Sequence, residues 1–244
     1  MTNTVEYSAH ETRPSDDPAR LADLSGIWQR SLLVTADGRR DETSPVYWLQ
    51  SANLYGDIRV ESGNRSDAAP PMRGFAGRLG ERDGIFRWVR TIASFPPHGP
   101  PDDGRLCWQG SVLSEDGVHS PYLELWVRVA LPAPGDYAAE LIDPESGRLG
   151  YLLSLGGFRY FGRGGEADGV FDLAGVDGGG ALLTMTTEPE PSTGWNGIAA
   201  PRLAVDRIRI AERGADGEMR LKDWSIIALE RPFELSSRSA RSEG

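Results

Sequence analysis

Cysteine is nearly absent, histidine is scarce and long apolar runs are missing, and each gap excludes something. The single cysteine, Cys107, permits no intrachain disulfide and fits a reducing, cytoplasmic setting. The three histidines, His10, His98 and His119, stand far apart, and no His-x-His, Cys-x-x-Cys or His-Glu-x-x-His spacing occurs. That argues against a zinc site, and no metal or organic cofactor is expected. No stretch of about 18 apolar residues exists, so no membrane-spanning helix is expected and no membrane partner. The opening "MTNTVEYSAHETRPSDDPAR" carries no apolar segment of the kind a secretory leader needs. A basic stripe is missing too. Asp and Glu number 36 against 26 Lys and Arg, a net charge of −10, and the short "GRR" at 38–40 runs straight into Asp41 and Glu42. Such a surface repels phosphate backbones, which argues against nucleic acid as a partner.

What is abundant is turn chemistry. The chain holds 30 Gly and 17 Pro, and Asp-Gly recurs at 37–38, 83–84, 103–104, 116–117, 168–169, 177–178 and 216–217. Asp-Gly suits hairpins because both residues tolerate positive φ. Between the turns run short β-type segments, near 27–35, 45–51, 54–61, 85–94, 105–114, 121–131, 137–143, 148–155, 157–162, 169–174, 181–187, 203–212 and 218–231. This spacing predicts an all-β antiparallel barrel or sandwich. Helix signals are confined to "SDDPARLADLSG", where Asp16 or Asp17 caps, Pro18 suits the first turn and Gly26 ends it. Residues 1–15 and 235–244 lack apolar anchors and read as a disordered arm and tail. "LELWVRVALP" (123–132) and "LKDWSIIALE" (221–230) share Leu, Trp, Ala and Leu without a gap, which suggests a first β-barrel over 16–132 and a second barrel-like half over 133–234.

"LSGIWQRS" sets Gly26-Ile27-Trp28 at the start of the first strand, and this resembles the lipocalin Gly-x-Trp signature, whose tryptophan plugs the closed end of the barrel. A wider resemblance, carried by "VYWLQSANLYGDIRV" and "YLELWVRV", is to the fungal Hri-type proteins, a family with two lipocalin-like barrels and poorly understood function. The resemblance implies a calycin-like fold and supplies no catalytic residue. Haem-binding nitrobindin relatives carry further glycines after the tryptophan; Gln29 and Arg30 stand here instead, so haem is not implied.

Alternate side chains of a strand share a face. Tyr122, Glu124, Trp126 and Arg128 therefore oppose Leu123, Leu125, Val127 and Val129. Tyr55, Asp57 and Arg59 oppose Gly56, Ile58 and Val60; Phe86, Trp88, Arg90 and Ile92 oppose Arg87, Val89 and Thr91; Val46, Trp48 and Gln50 oppose Tyr47 and Leu49. Two readings are open. In one, the aliphatic faces are core and the charged faces are solvated with cross-strand ion pairs. In the other, the mixed faces line a cavity while the aliphatic faces pack outward. Large indoles set between charges favour the cavity, since a solvated face would leave their apolar surface unused. The ligand-binding set is then Trp48, Gln50, Tyr55, Arg59, Trp88, Arg90, Trp126 and Arg128, with Asp57 and Glu124 as candidate general bases. Such a cavity suits a small organic ligand. It equally suits a cofactor-independent lyase or isomerase, and a protein-interaction scaffold is a third reading.

Other motifs carry less. His119 reads as a loop residue and Cys107 as a small buried hydrophobe. Ser154 in "YLLSLGG" lacks the first glycine of a nucleophile elbow. "GRGGEADG" (162–169) has no Gly-Lys-Ser/Thr ending, and Trp195 in "STGWNG" reads as a rim residue.

Overall fold

A computed structural model describes residues 17–60, 72–96, 99–176, 182–187, 202–204, 206–213 and 216–232. The arm, the tail, His10, His98 and Trp195 lie outside them. The described chain is all-β. Its first ten strands are β1 (Asp17–Pro18), β2 (Gly26–Thr35), β3 (Arg40–Asp41), β4 (Val46–Gln50), β5 (Leu54–Val60), β6 (Met72–Arg82), β7 (Ile85–Ala93), β8 (Asp103–Gln109), β9 (Val112–Gly117) and β10 (Tyr122–Ala130). Eight more follow: β11 (Tyr137–Ile142), β12 (Leu149–Leu155), β13 (Phe158–Gly164), β14 (Val170–Val176), β15 (Leu182–Thr186), β16 (Arg202–Leu203), β17 (Arg207–Arg213) and β18 (Met219–Glu230).

Strands β8-β7-β6-β5-β4-β2-β10-β9 pair in that order, and β9 returns to β8, so the first sheet closes into an eight-strand antiparallel barrel. Strand β1 adds beside β8 and β3 beside β2. A barrel of this size has room for packed side chains or one small ligand. The second sheet, β15-β14-β13-β12-β11-β18-β17-β16, has no closing pair among the described residues and is a curled half-barrel.

The half-barrel lies on the outside of the barrel. Outward-facing Tyr47, Leu49, Leu54, Ile58 and Ile92 form one core with Tyr151, Leu153, Phe158, Tyr160 and Phe171 of the second sheet. This explains why every residue of β4 is buried. Its odd residues face the second sheet, and Val46, Trp48 and Gln50 face the barrel interior. The barrel interior is a separate core built on Trp28, Trp48, Phe75, Phe86, Trp88, Leu106, Leu113 and Trp126.

Two local expectations are corrected. The helix over 16–26 is only a 3₁₀ turn, Leu21–Asp23, with no side-chain cap at Arg20, because Asp17 and Pro18 are drawn into pairing with Trp108 and Cys107. Strand β6 was not expected, since "MRGFAGRLG" is rich in glycine, a poor strand former. Its glycines answer to contacts instead. A Cβ at Gly74 would stand 2.5 Å from the Phe171 ring, and one at Gly77 would stand 2.0 Å from the Val89 carbonyl oxygen.

Candidate functional site

Trp28 shuts one end of the barrel. It is fully buried, stacks on Trp48 with ring centroids 5.7 Å apart, and donates Nε1–H to the Leu24 carbonyl at 2.8 Å. The Arg128 guanidinium lies 4.3 Å above the Trp28 ring and donates to the Asp23 carbonyl. Desolvation lowers the Arg128 pKa. Arg128 thus belongs to the closed end. Gln50 also sits low in the barrel, accepting from Trp48 Nε1 at 3.1 Å and donating to the Ser51 carbonyl at 3.2 Å. Tyr55 is fully buried near Phe75, and its hydroxyl has no hydrogen-bond partner among the described residues. These three expected site residues are not brought to the cavity.

Above this floor lies a cavity of about 290 Å³. Trp48, Trp88, Trp126 and Phe75 wall it, with Trp88 and Trp126 each edge-on to Trp48 at 5.8 and 5.6 Å. Arg30, Arg59 and Arg90 and the carboxyls of Asp57, Asp102, Glu115 and Glu124 line the remainder with Tyr122. The structure therefore gathers Trp48, Asp57, Arg59, Trp88, Arg90, Glu124 and Trp126 from four different strands, β4, β5, β7 and β10, and β2 adds Arg30. The charged faces of β5 and β10 turn inward, and bulk water is not their environment: Asp57 is 3% exposed and Glu124 7%.

The charges are arranged in pairs. Arg59 grips Asp57, its i−2 neighbour on the same face, through Nε and Nη2, both at 2.7 Å. Burial weighs against the Arg59 charge, but Asp57 outweighs it and raises the pKa. Arg30 donates Nη1 to Glu124 at 2.7 Å and Nη2 to Asp41 at 3.1 Å, an ion triad with Arg30 itself 8% exposed. Arg90 donates Nη2 to Asp102 at 2.5 Å and lies 4.0 Å over the Phe75 ring; its Nε is buried without a partner among the described residues.

Glu115 is different. It stands directly opposite Glu124 in the β9–β10 register and accepts only from neutral donors, Tyr122 Oη at 2.6 Å and Trp126 Nε1 at 3.0 Å. Burial, followed by the Glu124 and Asp102 charges, raises its pKa well above 4.5. Burial also raises Glu124, while Arg59 and Arg30 oppose the shift. Two opposed carboxyls, both buried, cannot both ionise cheaply. The arrangement can hold and transfer a proton or clasp a polar guest against aromatic walls.

Arg30, Phe75, Asp102, Glu115 and Tyr122 were not expected at the site. Arg30 was legible, since it follows Trp28 by two and must share its inward face. Glu115 was hidden because β8 and β9 read as one strand, the hairpin at Gly110, with φ 64°, being missed. Among the described residues, no three His, Cys, Asp or Glu side chains group as metal ligands, and no helix is long and apolar enough to cross a membrane.

No family model matches the sequence, and no curated protein does. Among solved structures, the chain is similar to the uncharacterized protein YLR301w from Saccharomyces cerevisiae, at 12% identity and a TM-score of 0.55, over 84% of this chain and 98% of that one. At this identity the likeness speaks for the fold alone.

Proposed function

We propose that the chain is a calycin-like barrel that binds a small organic molecule in the cavity bounded by Trp48, Trp88 and Trp126. The observation that carries this is the convergence of indole walls and paired charges on one cavity, where an aliphatic core would fold more simply. Arg59, Arg90 and Trp88 are the binding residues of this reading, with Arg30, Glu115 and Tyr122 added. Arg128, Gln50 and Tyr55 support the floor from below. Kinship with the Hri-type double-barrel proteins and a cytoplasmic setting belong to the same reading.

A second reading, a cofactor-independent lyase or isomerase, draws on the opposed Glu115 and Glu124. In it Glu124, ionised beside Arg30, takes a proton and Glu115 gives one, while Asp57 is held by Arg59.

Native mass spectrometry of the full chain tests the binding reading. A small non-covalent mass that disappears on denaturation, or that appears on incubation with a fragment mixture and is lost in Trp88→Ala, supports it. Binding unaffected by Trp48, Trp88 and Trp126 truncation overturns it. The enzyme reading requires that Glu124→Gln abolish turnover and leave affinity nearly intact.

A further inference from the structure

An indole–carboxyl pair recurs in both sheets. In the barrel Trp126 donates to Glu115 at 3.0 Å, and in the half-barrel Trp224 donates to Glu212 at 2.5 Å. The second pair has cations of its own. Arg163 Nε stands 3.1 Å from Glu212, and Lys222 Nζ lies 5.5 Å from the Trp224 ring centre.

Among the described residues the first pair has none. Glu115 receives hydrogen bonds from Tyr122 and Trp126 only, and the guanidiniums of the cavity serve other carboxyls: Arg30 serves Glu124 and Asp41, Arg59 serves Asp57, Arg90 serves Asp102. Glu115 also adjoins a second indole. A Cβ at Gly104 would lie 3.2 Å from both Glu115 Oε1 and the Trp88 ring. The surroundings of Glu115 thus offer aromatic surface on two sides, a third indole edge-on at Trp48, and more carboxyls than guanidiniums.

We propose that the cavity takes a compact organic cation, an alkylated or quaternary ammonium, seated against Trp48, Trp88 and Trp126 with Glu115 as its counter-ion. This rests on the small-molecule reading and names the ligand class. Aromatic rings attract cations through the negative potential of their faces, most strongly where water is excluded. A volume of about 290 Å³ exceeds the roughly 150 Å³ that holds a benzene ring, so a small alkylammonium fits. Each guanidinium of the cavity already holds a carboxylate, which opposes an anion. Glu115 is disposed to keep its proton, being buried and facing Glu124 across the hairpin, Asp102 from the loop before β8 and the Tyr122 hydroxyl. A seated cation favours the ionised form, so binding releases a proton.

Isothermal titration calorimetry on the full chain decides this, using choline, its uncharged isostere 3,3-dimethylbutan-1-ol, and benzoate, in two buffers of different ionisation enthalpy at pH 7. Choline is expected to bind at least about tenfold tighter than the isostere, with heats that depend on the buffer. Glu115→Gln, which keeps an acceptor for Trp126, is expected to erase both the preference and the buffer dependence while its near-ultraviolet circular dichroism stays native. Benzoate or the isostere binding as tightly as choline overturns the cation class and leaves the small-molecule reading standing. Failure of choline to bind overturns it too, and a retained mass in the native spectrum then judges the broader reading separately.

Discussion

Burial decides what each charged residue is worth. Arg30 and Arg209 each make ion pairs, but Arg30 is buried with Glu124 and Asp41, whereas the Arg209 pair with Asp223 is exposed. Arg30→Ala leaves two carboxylates in the barrel without their cation and is expected to cost about 3–5 kcal/mol. Arg209→Ala is expected to cost under about 1 kcal/mol. Urea unfolding of the two variants measures both, and equal costs would mean that β2 does not turn Arg30 inward. The sign of the pH dependence is also set residue by residue. Because the folded Glu115 pKa lies above 4.5, the folded chain keeps a proton that the unfolded chain releases, so the contribution of Glu115 to stability is greatest below pH 4.5 and falls as pH rises from there. Glu115→Gln is expected to flatten that decline. Asp103 acts oppositely: hydrogen bonding to Arg87, against its burial and aided by His119, lowers it from 3.8 to about 2, so its contribution is lost as pH falls through that range. Urea midpoints from pH 3 to 8 read both limbs. At this scale the sequence exposed the faces of β5 and β10 through simple alternation, and that of β7 as far as Arg90; the bulge at Ala76 and Gly77 in the β6–β7 pairing puts Ile92 on the outer face instead. The sequence could not say which face was inside, since an indole between two charges is compatible with either until the outer covering is known.

At the scale of elements, glycines mark where the two sheets touch. Gly56 on β5 leaves room for the Tyr160 ring, which would stand 2.4 Å from a Cβ there, and the Tyr160 hydroxyl reaches past it to the Phe75 carbonyl at 2.9 Å. Gly56→Ala is therefore expected to cost about 1–3 kcal/mol by prying β13 off β5, despite alanine's better fit to most strands. Thermal unfolding checks it, with Gly38→Ala a poor comparison because its φ of 81° adds backbone strain, and Gly80→Ala, where a Cβ meets nothing, the proper control. These contacts also explain what was illegible. Strand β6 was passed over because its glycines look like turn residues, and the reason for Gly74 is Phe171 on β14, almost a hundred residues away. Strands β2, β4, β5, β7 and β10, set off by turn residues and apolar alternation, could be read directly, whereas β8 and β9 ran together.

For the whole molecule, the outer covering is the deciding fact. A half-barrel on the outside gives the aliphatic faces of β4, β5 and β6 an apolar partner, and so frees the barrel interior for aromatic and charged side chains. The repeat between 123–132 and 221–230 pointed to two related halves, but closure of the second depended on pairings that local sequence does not encode. Because the two sheets share one core, they are expected to unfold together. Tryptophan fluorescence, dominated by the barrel, and far-ultraviolet circular dichroism should give one midpoint in urea. Two separated midpoints would mean the halves are independent. The central claim, that the enclosed face receives a small organic guest, is tested most directly by following the indole N–H resonances of a ¹⁵N-labelled sample during titration with a fragment mixture and choline. The account predicts that Trp48, Trp88 and Trp126 shift together while Trp224, in the core of the second sheet, stays in place. Shifts confined to other residues, with these three unmoved, would contradict it.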